Sequence, residues 1–427
     1  MKYHSHILKN KLNVLLVDTE AFPSLTTLLL IGAGSRYENK DNNGIAHFFE
    51  HMAFKGSRKY TNSFIISSTI EGLGGVFNAF TSKDHTGYWI KATAEHFDTV
   101  VDVMSDMILY PKLLQDEIDR EKGVIIEEMN MYEDTPSRKV NDIFEEQLYK
   151  GNPLGFDIIG TKETVSSFTR ETFVDYMDRL YHPANAVLVV AGGLQNEDTA
   201  QKYLGIIEQK FGQWQPKKKV TFEPIVENQS KPHIFVKHKK TEQAHFCLGY
   251  RTFSFYDKRK YALSVLSAIL GGGMSSRLFI EVRERRGLCY YIGTGREFYH
   301  DTGNFVIQAG ITNSVDKVQE AAEVTLKELR KMTKGEITTD EFIKAKEMIK
   351  GRMLLSLEDS QNVASYVGNK KLLENQSITP EEIIKNIESV TKEQLVELAT
   401  VMFRPEILNF TLLGPFKEKD ISIDFSI

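Results

Sequence analysis

Residues 169–192 read TRETFVDYMDRLYHPANAVLVVAG, and residues 391–414 read TKEQLVELATVMFRPEILNFTLLG. The frame is constant, with an offset of 222: Thr169 matches Thr391, Glu171 matches Glu393, Pro183 matches Pro405 and Gly192 matches Gly414. Each copy reads as a helix followed by a strand. The Thr caps the helix, the Glu two residues on complements the positive helix end, the Pro stops it, and a β-rich apolar run ends at Gly. Twenty-four residues in one ungapped frame mark an internal duplication.

Between the copies, PKKKVTFEPIVENQSKP (216–232) mixes Lys, Pro and polar residues around a short Val-Thr-Phe strand and reads as a linker. The expected layout is therefore two similar domains, 1–215 and 232–427, joined by residues 216–231. A chain of 427 residues is too long for one ordinary core, which agrees with two. Strands and helices alternate irregularly, with hairpin-like strand pairs. That pattern predicts an α+β class: in each domain a mixed or antiparallel sheet with helices packed on one face.

Composition narrows the function. Lys plus Arg number 53 and Asp plus Glu 58, so nothing argues for a nucleic-acid or anionic-membrane partner. The two cysteines, Cys247 and Cys289, make neither a disulfide framework nor a zinc knuckle, and suit a reducing compartment. The start, MKYHSHILKNKLNVLLVD, has no sustained apolar run or small-residue cleavage site, and the longest apolar runs are too short to span a bilayer. A cytoplasmic protein is the expectation.

The chemistry lies between Asn43 and Gly56, NGIAHFFEHMAFKG, read as one helix capped by Asn43 and ended by Gly56. At about 100° per residue, His47, Glu50, His51 and Phe54 share one face while Ile45, Phe48, Phe49 and Met52 share the other. Imidazoles at i and i+4 can both reach one zinc ion. A carboxylate beside them can take a proton from a metal-activated water and pass it to a leaving amine. Glu50 is the candidate general base.

A catalytic zinc needs a third protein ligand. Residues 116–134, DEIDREKGVIIEEMNMYED, read as a helix with Glu121, Val124, Ile125, Glu128 and Tyr132 on one face. Two carboxylates on a face that should bury are costly unless a cation compensates them. Glu128 is assigned as the third ligand, and Glu121 as the carboxylate that orients a ligand from behind. Elsewhere, His85, His96 and His245 lack a partner at ligand spacing and read as structural.

HFFEHMAFKGS followed by EKGVIIEEMNMYEDTP resembles the pitrilysin/insulinase family of inverted HxxEH zinc peptidases, and within it the mitochondrial processing peptidase and its bacterial relatives. The family pattern places 76 residues between HxxEH and its third ligand; His51 to Glu128 has that spacing, which favours Glu128 over Glu127. The family's supporting Glu, seven positions earlier, falls on Glu121. The resemblance covers essentially the whole chain.

Two further stretches match. GGVFNAFTSKDHTGYW resembles the family's edge strand beside the zinc, where a substrate peptide adds as an extra strand. The carried-over positions are Asn78, Ala79 and Phe80, and Phe54 could line the adjacent pocket. GGGMSSRLFIEVRERRGLCYYIGTG reads as a helix from Ser275 to Arg286, ended by Gly287, with a strand from Leu288. Arg283 and Tyr290 sit seven apart, like the family's Arg–Tyr pair, so the resemblance implies that Arg283 holds a substrate carbonyl and Tyr290 donates to the developing oxyanion. The Gly271-Gly272-Gly273 run lacks the ending of a phosphate loop and reads as a turn.

The second copy lacks HxxEH, so one zinc per chain is expected. The family's clamshell has two bowls and this chain supplies one. The resemblance thus implies a homodimer in which Arg283 and Tyr290 of one subunit complete the zinc site of the other. The implied activity is hydrolysis of peptides or small unfolded polypeptides in a closed chamber. The alternatives are a non-catalytic peptide-binding or core subunit, and an active subunit of a heterodimeric processing peptidase.

Overall fold

The computed structural model describes residues 2–194, 196–376 and 379–424. The first half of the chain forms β1 (Lys2–Ile7), β2 (Asn13–Asp18), β3 (Ser24–Ile31), α1 (Ile45–Ala53), α2 (Ser63–Gly72), β4 (Val76–Thr81), β5 (Thr86–Thr93), α3 (Phe97–Leu109), α4 (Gln115–Glu133), α5 (Pro136–Leu148), α6 (Lys162–Ser167), α7 (Arg170–Leu180), β6 (Ala186–Gly192) and α8 (Glu197–Phe211). The second half forms β7 (His233–His238), β8 (Gln243–Thr252), α9 (Lys260–Gly271), β9 (Cys289–Phe298), β10 (Gly303–Thr312), α10 (Val315–Thr333), α11 (Thr339–Ser356), α12 (Ser360–Glu374), α13 (Pro380–Ser389), α14 (Lys392–Met402) and β11 (Leu408–Gly414).

The two sheets repeat one another. The first runs β1-β2-β6-β3-β5-β4 and the second β7-β11-β8-β10-β9. In each, one pair is parallel, β2 with β6 and β7 with β11, and the remaining neighbours are antiparallel. The repeat sets this pattern. Thr169 and Thr391 each cap their helix through a reciprocal capping box, with Thr172 and Gln394. Pro183 and Pro405 each start a short 3₁₀ turn, and β6 and β11 follow, buried along their whole length. Side chains buried on both faces explain why these strands read as continuous apolar runs.

Compactness divides the chain differently from the halves expected at 1–215 and 232–427. One unit comprises residues 1–129, 156–223 and 356–378; the other comprises 130–155, 224–355 and 379–427. The border at 223/224 does fall inside the 216–231 linker, but α5 belongs with the second sheet and α12 with the first. Each sheet consequently carries helices on both faces, not one as expected. In the first unit, Leu15, Val17, Leu28, Leu30, Val187 and Val189 pack with Val363, Ala364 and Val367 of α12. The alternate residues Val14, Leu16, Leu29 and Val190 are equally buried on the other face, the side of α3. In the second unit, Phe246, Leu248 and Tyr250 pack with α9, α10 and α14, while Cys247, Val306 and Leu413 pack with Val140, Ile143 and Phe144 of α5. Fully burying one such aliphatic side chain is worth about 1.5–3 kcal/mol, so each borrowed helix is a substantial part of its unit's core.

The strand expected at Val220–Phe222 does not form. Phe222 instead lies over the Arg36 guanidinium, 3.7 Å from ring centroid to Cζ. Both cysteines are free, with Cys247 buried. Among the described residues, no helix is long and apolar enough to cross a membrane.

Candidate metal centre

α1 forms because its apolar face has somewhere to go: Ile45, Phe48, Phe49 and Met52 are buried, with Phe48 against Phe173 and Phe49 against Tyr181. The opposite face keeps His47, Glu50, His51 and Phe54 only partly covered. The helix starts differently from the expected Asn43 cap. The N-cap is Gly44, at φ 95°, with no side-chain cap of its own. A side chain there would meet the Ile159 carbonyl at 2.6 Å, so only glycine fits. Asn43 turns away and donates to Glu38 and to the Asp157 carbonyl.

α4 brings two carboxylates to the histidines. Its buried stripe is Ile118, Glu121, Ile125 and Met129, while Val124, expected on that face, is 51% exposed. Glu128 Oε2 lies 3.7 Å from His47 Nε2 and 3.5 Å from His51 Nε2. Among the described residues, His47, His51 and Glu128 form the one grouping able to hold a metal, with their ligand atoms within 4.8 Å of one another. Two donors each about 2.0–2.1 Å from a tetrahedral zinc stand about 3.3–3.4 Å apart, so the two distances to Glu128 match that ion to within a few tenths of an ångström.

Behind this grouping, His51 Nδ1 is 2.9 Å from Glu121 Oε1, and Lys55 Nζ is 2.5 Å from Glu121 Oε2. Burial alone would raise the Glu121 pKa, but the hydrogen bonds from His51 and Lys55 hold it below the usual carboxylate range. An ionised Glu121 keeps the proton on His51 Nδ1 and leaves the Nε2 lone pair facing Glu128.

Glu50 is held from the other side. The Thr81 hydroxyl donates to Glu50 Oε2 at 2.6 Å. Burial raises the Glu50 pKa above its ordinary value, with the Thr81 bond opposing it. Thr81 ends β4, which pairs only with β5 and so is the edge of its sheet. Phe77, Ala79 and Thr81 share one face of β4 by strand alternation. Phe77 meets Phe54 at 5.5 Å and Thr81 meets Glu50, so this face is turned to the metal helix. Asn78 and Phe80 belong to the opposite face, where Phe80 packs on the cluster around α12. Of the three strand positions singled out from the sequence, only Ala79 therefore shares the face turned to α1.

Arg283 and Tyr290 are brought together in the second unit. The helix expected from Ser275 to Arg286 is shorter: it runs from Arg277 into a π-helical stretch, Phe279–Glu284, is capped by Arg285, and Gly287 at φ 61° follows two residues later. Arg283 Cζ lies 4.5 Å from the Phe279 ring and 5.7 Å from the Tyr290 ring. Tyr290, on the edge strand β9, is 75% exposed, whereas Tyr291 faces inward and bonds His245. That contact and the burial of His85 agree with structural roles for both histidines.

Sequence reasoning missed Lys55, Phe77, Thr81 and Glu38. The first three carry a signal: Lys55 is four residues after His51, and Phe77 and Thr81 alternate with Ala79. Glu38 sits in a loop and has no periodic mark.

Comparison with known proteins gives the family. The family profile described as Insulinase (Peptidase family M16) matches residues 13–162, and that described as Peptidase M16 inactive domain matches residues 167–349. An uncharacterized zinc protease of Bacillus subtilis is 35% identical over 92% of this chain and 94% of its own length. An uncharacterized zinc protease of Rickettsia felis is 32% identical over 96% of each. The crystal structure of a protease from Helicobacter pylori superposes with a TM-score of 0.90 at 26% identity, covering 97% of this chain and 100% of that one. With a relative this similar along nearly its full length, and an HxxEH helix carrying the metal-ligand grouping, the chain belongs to the insulinase family, peptidase family M16.

Proposed function

We propose that the protein is a zinc metalloendopeptidase in which His47, His51 and Glu128 hold one metal ion per chain and Glu50 is the general base. The observation that carries this reading is the convergence of both imidazole Nε2 atoms on one oxygen of Glu128, with the Glu50 carboxylate on the same helix face. Zinc bound there supplies a Lewis acid and lowers the pKa of a water to about 7. Glu50 is placed to take the proton of an attacking water on its carboxylate and to deliver it to the leaving nitrogen. Partial burial suits it to the task by making the carboxylate a stronger base. The Thr81 hydroxyl engages one of the two oxygens and orients the group.

The open edge of β4 binds an extended peptide through the main chain of Asn78, Ala79 and Phe80. Ala79 adds little bulk on the face of β4 turned to α1, and Phe54 with Phe77 forms an apolar wall for one substrate side chain. Main-chain pairing makes recognition tolerant of sequence. Arg283 and Tyr290, from a second copy of the chain, hold the substrate carbonyl and donate to the oxyanion. The protein then works as a homodimer on short unfolded peptides in a closed chamber.

The test is metal analysis of the purified protein together with a chelator-sensitive digest of an unbiased peptide library. One zinc per chain and hydrolysis restored by zinc are expected. A metal-free protein that digests nothing and still binds peptides would instead support the core-subunit reading. Mixing Glu50→Gln with Arg283→Ala protein should restore part of the activity after subunit exchange. No restoration in confirmed mixed dimers would place Arg283 with its own chain's zinc site.

A further inference from the structure

We infer that Glu38, in the loop before the metal helix, is a positioning residue: its buried carboxylate sets where α1 begins, and through α1 the placement of His47 and Glu50. The inference rests on the zinc-peptidase reading above and deepens it.

Helix N-termini leave N–H groups without intrahelical partners, and a side chain at the N-cap usually takes one of them. Here the N-cap is glycine, so the task passes to a residue six positions earlier. Glu38 Oε2 accepts from the Gly44 N–H at 2.8 Å and from Asn43 Nδ2 at 2.9 Å, and Oε1 accepts from the Ala46 N–H at 2.9 Å. All three donors lie in the four residues that precede His47. The carboxylate also sits at the positive end of the helix dipole. Glu38 is 4% exposed. Burying a carboxylate is costly even when it is hydrogen-bonded, so an uncharged cap would serve plain stability better.

The same loop is fastened to the opposite wall of the site. The Ser35 N–H donates to the Ser82 carbonyl at 3.2 Å, and the Arg36 N–H to the Lys83 carbonyl at 3.0 Å. A Cβ on Gly34 would lie 2.4 Å from both carbonyl oxygens, which shows how closely the segments approach. Arg36 Nη1 pairs with Asp84 Oδ1 at 3.1 Å, with both side chains buried. Residues 82–84 directly follow Thr81, the partner of Glu50. One loop thus grips the metal helix through Glu38 and the end of the edge strand through Arg36. It fixes the spacing between the ligand-bearing helix and the strand proposed to hold the peptide. A helix rises about 1.5 Å per residue, so letting its first turn slip by one residue would carry His47 away from the oxygen it shares with His51.

The experiment measures zinc affinity by chelator competition for the parent, Glu38→Gln and Glu38→Ala. Alongside are the visible spectrum of the cobalt(II)-loaded proteins, the melting temperature, and kcat and KM on a peptide. Glutamine keeps the volume but turns an NH₂ toward donors. Both variants should bind zinc about 10–100-fold more weakly, as when the support behind a metal ligand is removed. Their cobalt spectra should change, and kcat should fall about tenfold or more with KM nearly constant. Thr379→Ala, which strips the capping box of α13 in the other unit, is the control: its melting temperature falls while zinc affinity stays at the parent value. A folded Glu38→Gln protein with parental zinc affinity and cobalt spectrum overturns the inference. Glutamine decides the matter if the alanine protein does not fold. A parent that binds no zinc overturns both readings. A parent that binds zinc but hydrolyses nothing sinks the peptidase reading alone, and the affinity measurements still judge Glu38.

Discussion

At the free edge of the first sheet, α1 lies against β4 and meets it through Glu50 with Thr81 and Phe54 with Phe77. At the corresponding edge of the second sheet, α9 lies against β9 and meets it through Ser267 with Thr294 and Ser264 with Arg296. Both helices bury an apolar face of the same character: Ile45, Phe48, Phe49 and Met52 in one, Leu263, Leu266, Ile269 and Leu270 in the other. The difference lies wholly on the face turned to the strand. There α1 offers the Glu50 carboxylate, with the two imidazoles beside it turned to α4, and α9 offers hydroxyls. The duplicated architecture depends on the buried faces, so the strand-facing side is free to carry a metal site or none. The second copy, matched by the profile described as an inactive domain, carries none among the described residues.

If that contrast is right, the largest effect belongs to Glu50. Glu50→Gln should lower kcat by about 10²–10⁴ while zinc content, read by metal analysis, stays at the parent level. Tyr290→Phe, which removes one hydroxyl from the second unit, should lower kcat by about 10² without changing zinc affinity, seen in parallel kinetics and chelator titration. Should it weaken zinc binding instead, the division of labour between the two units is wrong. Glu121→Gln should weaken zinc binding about 10–100-fold by freeing the His51 ring, measured by competition with a chromophoric chelator.

Glu38 gives a test with a sign. Burial pushes its carboxyl up to about 7, against an ordinary value near 4.5. The folded state then holds this proton more tightly than the unfolded state. Its contribution to stability is greatest below about pH 4.5, falls as pH rises toward about 7 and levels off above, a loss of up to about 3 kcal/mol. Denaturant unfolding of metal-free protein at pH 5 and pH 8 should show this slope in the parent and a shallower one in Glu38→Gln. The smallest effect belongs to the unfurnished edge: Ser267→Ala should cost about 1 kcal/mol in thermal unfolding and leave zinc content untouched.

Much of this was legible in the sequence. The repeat around Thr169 and Thr391 announced two like units, because capped helix, Pro and apolar strand recur in one frame. His47, Glu50 and His51 could be set on one face because helical periodicity is local. Glu121 and Glu128 stood out as acids on a stripe that buries. What stayed hidden was tertiary. The amphipathic faces of α5 and α12 say that each must be covered, but not by which sheet. Asn43 has the right chemistry for a cap, yet the positive φ of Gly44 turns the chain so that Asn43 serves Glu38 instead. The contact between Glu38 and Ala46 joins a loop to a helix, and no spacing rule anticipates it.

The exchange of α5 and α12 has a consequence for how the protein is made. Synthesis from the N-terminus delivers β2, β3 and β6 early, but the helix that covers their second face ends at Glu374. While the ribosome adds the intervening residues, Leu15, Leu28 and Val189 have no native cover on that side. The first unit therefore completes itself only once α12 has been made. A nascent chain stalled in the linker would present a bare apolar sheet and a stranded α5, a natural client for chaperones.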